Sequence, residues 1–423
     1  MLSDREGGGP DADSVRPRRR GGRAALGEVA AVFLKLGLIG FGGPAAHIAL
    51  MREELVRRRG WVSDQRFLDL MGAVNFIPGP NSTELAIHLG HDRARWRGLV
   101  VAGVCFILPA FVIVAAFAWA YVRFGRLPAV AGLLYGIKPV VVAIVVWAVA
   151  GLLRTAVKGW LTGVVAAAGF AAYLLGVNEL VVLAAGGVLA MAARTRGSWL
   201  PGRFGGGSGD GPRRIGRGGG SGVGGGSGGG LAALVAPLLT APRFPDPTGG
   251  QLVQLFLTFL KIGAVLYGSG YVLLAFLEGD LVDRLGWITG TQLLDAVSIG
   301  QVTPGPVFTT ATFIGYIVMG LPGAVLATVA IFLPSFVFVG LLTRLVDFIR
   351  GRAWSAAFLD GVNATALALL AGVTLRLAGE AFVDPLTVGL AVLALLLQWR
   401  TRLNTAWIIG GAAVIGVIRV LLL

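Results

Sequence analysis

Apolar stretches long enough to cross a bilayer recur along most of this chain, set apart by short polar or basic pieces. They predict continuous helices over about residues 99–122, 130–153, 160–177 and 180–193, the last short for a full crossing. The region ahead of them is apolar but interrupted. Residues 28–51 contain Phe41-Gly42-Gly43-Pro44, and residues 67–90 contain Asn75-Phe76-Ile77-Pro78-Gly79-Pro80-Asn81-Ser82-Thr83. Prolines remove N–H donors and crowd the preceding turn, and glycine adds backbone freedom. Each interruption therefore predicts a helix broken at membrane depth. Backbone groups freed in hydrocarbon must be satisfied by protein or by water in a cavity.

From residue 251 the pattern begins again. At an offset of 226 residues, Phe33, Leu34, Lys35 and Gly37 recur as Phe259, Leu260, Lys261 and Gly263, and Gly42 recurs as Gly268. Gly60-Trp61 recurs as Gly286-Trp287, and Pro78-Gly79-Pro80 with Thr83 recurs as Pro304-Gly305-Pro306 with Thr309. Further on the offset is 225, pairing Leu108-Pro109 with Leu333-Pro334 and Gly136 with Gly361. This is an internal duplication. Two broken segments in matching positions of two halves are the sequence signature of a transporter site.

Charge refines the arrangement. The piece over residues 52–66 carries a formal +2, and its counterpart over residues 278–292 carries −2. The basic stretch 91–97 corresponds to the uncharged 317–323. By the positive-inside rule the first set lies in the cytoplasm and the second outside, which predicts halves inverted relative to each other. Basic pieces flank both interrupted regions of the first half, so these regions also fit re-entrant hairpins. Residues 1–27 form a polar, Arg-rich tail, and residues 196–249 a Gly/Ser/Arg-rich linker expected to be flexible; both are assigned to the cytoplasm. The two membrane domains span residues 28–195 and 250–423.

With 55% hydrophobic and 14% charged residues, the chain reads as an all-α polytopic membrane protein. Its net charge of +14 follows from the tail, linker and loops and is no nucleic-acid signal. The single cysteine, Cys105, excludes an intramolecular disulfide and a CxxC site. His47, His88 and His91 do not form HExxH, no Ser/His/Asp arrangement stands out, and the linker lacks the lysine of a phosphate-binding loop. An intramembrane enzyme is thus disfavoured, and no cofactor or metal is expected.

The chemistry that remains suits an anion. Of four lysines, Lys35 and Lys261 occupy equivalent positions within apolar runs, where a charge needs a cavity or a partner; snorkelling to an interface is the bland alternative. Gly42, Gly43 and Pro44, with Gly268 in the second half, let backbone N–H groups approach a ligand, or simply let helices pack closely. His47, whose counterpart is Leu273, suits anion binding or a proton relay, or else a hydrogen-bonded core. Asn75, Asn81 and Thr83 flank Pro78, Gly79 and Pro80, while Gln301, Thr303 and Thr309 flank Pro304, Gly305 and Pro306. Such neutral groups can replace part of an oxyanion's hydration shell, or cap the broken helices. Glu84, matched by Thr310, reads as a helix N-terminal acid or a proton-coupling carboxylate; Asp69 and Asp295 read as caps or partners of nearby Arg.

Phe41-Gly42-Gly43-Pro44 with His47, Gly60-Trp61, Asn75-Phe76-Ile77-Pro78-Gly79-Pro80 and the repeated Pro304-Gly305-Pro306 together resemble the chromate ion transporter family in its long, two-domain form. The resemblance covers both halves and leaves out the tail and linker. The second half keeps Gly268 without the full Phe-Gly-Gly-Pro and has no His47 counterpart. The resemblance implies secondary export of chromate across the bacterial inner membrane, giving resistance. Sulfate has the same charge and a similar shape, and these residues do not separate the two. The expected partners are the oxyanion, the bilayer and a coupling ion the sequence does not identify, with a homodimer left open.

Overall fold

The computed structural model describes residues 22–41, 43–125, 127–197, 248–267, 270–349, 352–401 and 403–422. Most of the N-terminal tail and nearly all of the linker lie outside the described residues, as do Gly42 and Gly268. Among the described residues there are helices and no strands. Five of these helices are long and apolar enough to cross a membrane: Asn81–Phe124, Pro128–Ala156, Val307–Leu341, Trp354–Ala381 and Thr405–Leu422.

The first half runs α1 (Gly22–Ile39), α2 (Gly43–Met51), α3 (Asp64–Val74), α4 (Asn81–Phe124), α5 (Pro128–Ala156), α6 (Trp160–Leu174) and α7 (Glu179–Gly197). The second half repeats the order as α8 (Gly249–Val265), α9 (Leu273–Leu277), α10 (Gly290–Val302), α11 (Thr310–Ile349), α12 (Ala353–Ala381), α13 (Pro385–Arg400) and α14 (Thr405–Leu422). Both Pro-Gly-Pro segments interrupt helices, between α3 and α4 and between α10 and α11. The polar piece after residue 51 is more ordered than expected. It continues α2 as a π-helical turn, Arg52–Arg58, and its counterpart Glu278–Arg284 does the same. The first helix also begins earlier than the apolar pattern implied.

A second difference concerns residues 91–97, expected as a loop. Here α4 reverses on two residues, Ala94 (φ −139°, ψ 24°) and Arg95 (φ 56°, ψ −146°). The second half makes the same reversal at Met319 (φ −139°, ψ 21°) and Gly320 (φ 66°, ψ −155°). Small residues make it feasible, because a Cβ on Gly90 would strike the Gly98 carbonyl, and one on Gly315 would strike that of Gly323. The limbs of each hairpin therefore touch backbone to backbone.

The halves interlock rather than sit side by side. Helix α4 packs on α11, α6 and α7 pack on α12 of the other half, and α13 and α14 pack on α5 of the first. The crossings are again small-residue contacts: Gly136 lies against the Ala412 carbonyl, and its repeat partner Gly361 lies against that of Gly186. One apolar core, including Val141, Phe259, Leu273, Tyr316 and Leu369, runs through both halves. A smaller cluster, including Phe33, Leu55, Phe67, Leu85 and Phe106, fixes the broken helices of the first. Large apolar side chains such as Trp160, Leu175 and Trp407 stay exposed, as expected of a surface that meets lipid.

Helix α3 is capped by Ser63, accepting from the Arg66 amide at 3.2 Å, and α10 by Thr289, accepting from the Gln292 amide at 3.1 Å. Asp69 and Asp295 are therefore not caps. Asp295 is buried, with Lys138 Nζ at 3.1 Å and the Tyr121 hydroxyl donating to it at 2.9 Å. Its partner is a lysine from another helix rather than a nearby Arg.

Candidate functional site

Each Pro-Gly-Pro segment is stitched to the first broken helix of the opposite half. The Gly79 amide donates to the Leu266 carbonyl at 2.8 Å, and the Gly305 amide donates to the Gly40 carbonyl at 2.8 Å. These two bonds are repeat-equivalent, since Leu266 lies 226 residues after Gly40 and Gly305 lies 226 after Gly79. They supply the partners that backbone at membrane depth needs. Gly79 has φ 138° and Gly305 has φ 99°, values that favour glycine. Space demands glycine too: a Cβ on Gly79 would collide with Glu84 Oε1, and one on Gly305 would lie 2.6 Å from Ala110 Cβ.

The two junctions differ chemically. Beside Gly305 and Gly40 sits His47, fully buried, its Nε2 2.8 Å from the Gly40 carbonyl and its Nδ1 3.3 Å from Ser82 Oγ. Phe106 holds the ring edge-on. At the other junction the equivalents of His47 and Ser82 are Leu273 and Phe308, both buried. There the polar groups are Glu84 and Ser335, whose counterparts are Thr310 and Ala110. The junctions thus differ in their fully buried ionisable group, an imidazole in one and a carboxyl in the other.

A cavity of about 680 Å³ opens beside the first Pro-Gly-Pro segment. Asn75, Asn81, Thr155, Asn363, Lys158, Arg194 and Asp360 provide its polar lining. The Asn81 amide donates to Asn75 Oδ1 at 2.9 Å across the break. Asp360 binds Lys158 at 2.7 Å and Arg194 at 3.1 Å, leaving one cation in surplus. The repeat counterpart of Asn363 is Lys138, which spends its charge on buried Asp295.

The other expected site residues fall in three places. Gly43 and Pro44 start α2, next to the His47 junction. Thr303 and Thr309 turn their hydroxyls to the Gly300 and Pro306 carbonyls, at 3.2 and 2.7 Å, so both satisfy backbone at the break. Thr83 Oγ1 and Gln301 Nε2 are buried without a partner.

Lys35 and Lys261 stand apart from both junctions, on the outer sides of α1 and α8. Lys35 Nζ is 3.0 Å from Glu54, and Lys261 is paired with Asp280. These ion pairs are themselves duplicated, because Asp280 lies 226 residues after Glu54. That equivalence was the signal available in the sequence for both acids. The Lys35 hydrogen bond, and after it that of Arg59, holds the buried Glu54 carboxyl below its ordinary value of 4.5 despite the opposing effect of burial. Lys158, Arg194 and Asp360 carried no such signal, since only the fold brings them together.

Two homologous helical halves, broken helices bonded reciprocally across them and a polar cavity beside one break define a multi-pass membrane protein of the repeat-built transporter type. The family described as Chromate transporter matches residues 27–191 and again 253–417. The chain belongs to the chromate transporter family. It is 33% identical over 401 residues to the chromate transport protein of Cupriavidus metallidurans, covering 93% of each chain. It is 32% identical over 399 residues to the chromate transport protein of Pseudomonas aeruginosa, covering 91% of this chain and 90% of that one. A probable chromate transport protein of Synechococcus elongatus is 30% identical over 399 residues, covering 93% and 95%. No solved structure matches the chain.

Proposed function

We propose that this protein is a secondary transporter that exports chromate across the bacterial inner membrane and so confers resistance. The observation that carries this reading is the cavity of about 680 Å³ that reaches the first Pro-Gly-Pro break between the interlocked halves. Three asparagines line it, and its two cations exceed its one carboxylate. Amide groups can replace the hydration of a tetrahedral dianion, and a surplus cation favours its entry. Family membership and the printed names of the relatives favour chromate as that dianion.

In this reading the anion enters at Lys158 and Arg194 and is passed to Asn75, Asn81 and the broken helices. Lys35 and Lys261, held by Glu54 and Asp280, supply charge when those pairs open. The cavity lies beside one break, and the repeat counterpart of its Asn363 is Lys138, which is bound to Asp295. A pseudo-symmetric carrier whose two breaks differ in this way suits alternating access by rocking of inverted halves.

The test is chromate accumulation in energised cells expressing the protein, with sulfate as competitor. Reduced accumulation, weakened by Lys158→Ala combined with Arg194→Ala, supports export. Unchanged chromate with altered sulfate uptake would transfer the reading to sulfate.

A further inference from the structure

We propose that the carboxyl of Glu84 binds a proton that travels with the anion, so that each dianion moves in company with one H⁺; this rests on the transporter reading above. Glu84 lies in the first turn of α4 and has no exposed surface. Its Oε1 is pressed against Gly79 and accepts from Ser335 Oγ at 3.5 Å, while its Oε2 is buried without a partner. Three elements therefore converge on this carboxyl: the Pro-Gly-Pro break, α4 and α11.

The groups around it supply no counter-charge. From the segment after α8, the Tyr267 phenol lies within electrostatic range. From α11 the facing group is the Ser335 hydroxyl. On its own helix the nearest titratable group is His88, one turn on. Among the described residues Glu84 enters no ion pair. An isolated carboxylate buried here would be costly, and the amino terminus of α4 offsets only part of that cost. A neutral carboxylic acid removes the cost. Asn81, on the cavity wall, is less than one turn away in the same helix. A dianion held there is repelled by a carboxylate and not by the acid, so proton and anion favour each other's binding.

A proton has a route to this point. Glu84, His88 and Asp92 lie four residues apart along one face of α4, with steps of about 6 Å that a water can bridge. His88 is buried with Nε2 unpartnered, and Asp92 reaches the surface in an ion pair with Arg66 at 2.9 Å. The proton passes from water at Asp92 to Glu84, forming one O–H bond. It leaves to water on the far side with the anion, breaking that bond. Export of a dianion with one proton still moves one net negative charge outward, which an inside-negative potential drives. The other junction has Thr310, Ala110 and Phe41 in place of Glu84, Ser335 and Tyr267, so it offers no counterpart of this carboxyl.

The test uses the full-length protein, wild type and Glu84→Gln, in detergent and in proteoliposomes. Infrared spectra should show a protonated-carboxyl band at neutral pH that Glu84→Gln removes and that Ser335→Ala shifts in frequency. In vesicles, wild-type chromate flow should carry protons in the same direction. An imposed gradient should drive chromate accumulation by roughly tenfold per coupled proton for each pH unit. Glu84→Gln, permanently neutral, should lose proton movement and the pH dependence of whatever chromate flux it supports. Absence of the band, or proton movement retained in Glu84→Gln, overturns the proposal. Wild-type vesicles that move neither chromate nor sulfate overturn the proposed function instead, while the infrared band still decides whether Glu84 is protonated.

Discussion

The amide of Gly79 is hydrogen-bonded to the carbonyl of Leu266 at 2.8 Å, and the same bond recurs between Gly305 and Gly40. Neither pair is close in sequence, and each crosses from one half of the chain to the other. The broken helices of each half are thus completed by the opposite half, which makes the two halves one mechanical unit.

Alanine at either glycine should weaken this unit. Both residues sit at positive φ, where a Cβ costs on the order of 1–3 kcal/mol of strain before any clash is counted. Gly305→Ala also meets Ala110 Cβ, so Ala110→Gly should recover part of the loss and leave the strain. Melting temperatures of the purified proteins would check this, and equal stability of Gly305→Ala and wild type would contradict it.

Lys138 and the buried Asp295 form an ion pair between α5 and α10, shared with Tyr121. Lys138→Met should destabilise by about 3–5 kcal/mol, because Asp295 is left as an unpaired buried charge. Lys138→Met with Asp295→Asn should recover most of this. A double mutant as unstable as the sum of the two singles would rule out coupling between them.

Arg95 is the one non-glycine residue at positive φ among those described, and its repeat counterpart is Gly320. Arg95→Gly should therefore be neutral or stabilising, whereas Gly320→Ala should cost on the order of 1–3 kcal/mol. Thermal unfolding of both variants reads the sign directly.

Glu54 contributes to stability with a definite pH dependence. Its folded carboxyl is held below 4.5, chiefly by Lys35. The contribution is complete above about pH 4.5 and is lost as pH falls through the lowered folded value. Lys35→Ala should shrink this acid-sensitive part while Arg59, 2.9 Å away, keeps some of it. Stability profiles of the variant and wild type between neutral and acid pH that superimpose would contradict the assignment.

Opposed orientation of the halves can be read by labelling. With Cys105 replaced, cysteines placed at Arg58 and at its repeat counterpart Arg284 should react from opposite sides of the membrane. Reaction of both from one side would rule out inversion.

The apolar runs, the Pro-Gly-Pro breaks and the duplication were legible in the sequence because membrane helices encode their length and interruptions locally. The lysines were found by the same route, but their partners were not. Glu54 and Asp280 looked like loop charges until the π-helical turns folded them back toward Lys35 and Lys261. Likewise the stretch 91–97 read as a loop because its charge was visible, while its hairpin geometry depends on contact between Gly90 and Gly98.

By itself, then, the sequence determined that this chain is built from two related membrane halves with a paired set of broken helices, since hydrophobic length, proline chemistry and repeat offset need no tertiary information. The tertiary structure alone decided which groups meet across those breaks. It joined Gly79 to Leu266, set Ser335 beside Glu84, and gathered Lys158, Arg194 and Asp360 around one cavity. Those contacts bridge segments up to hundreds of residues apart, and only the interlocking of the halves gives them a common location.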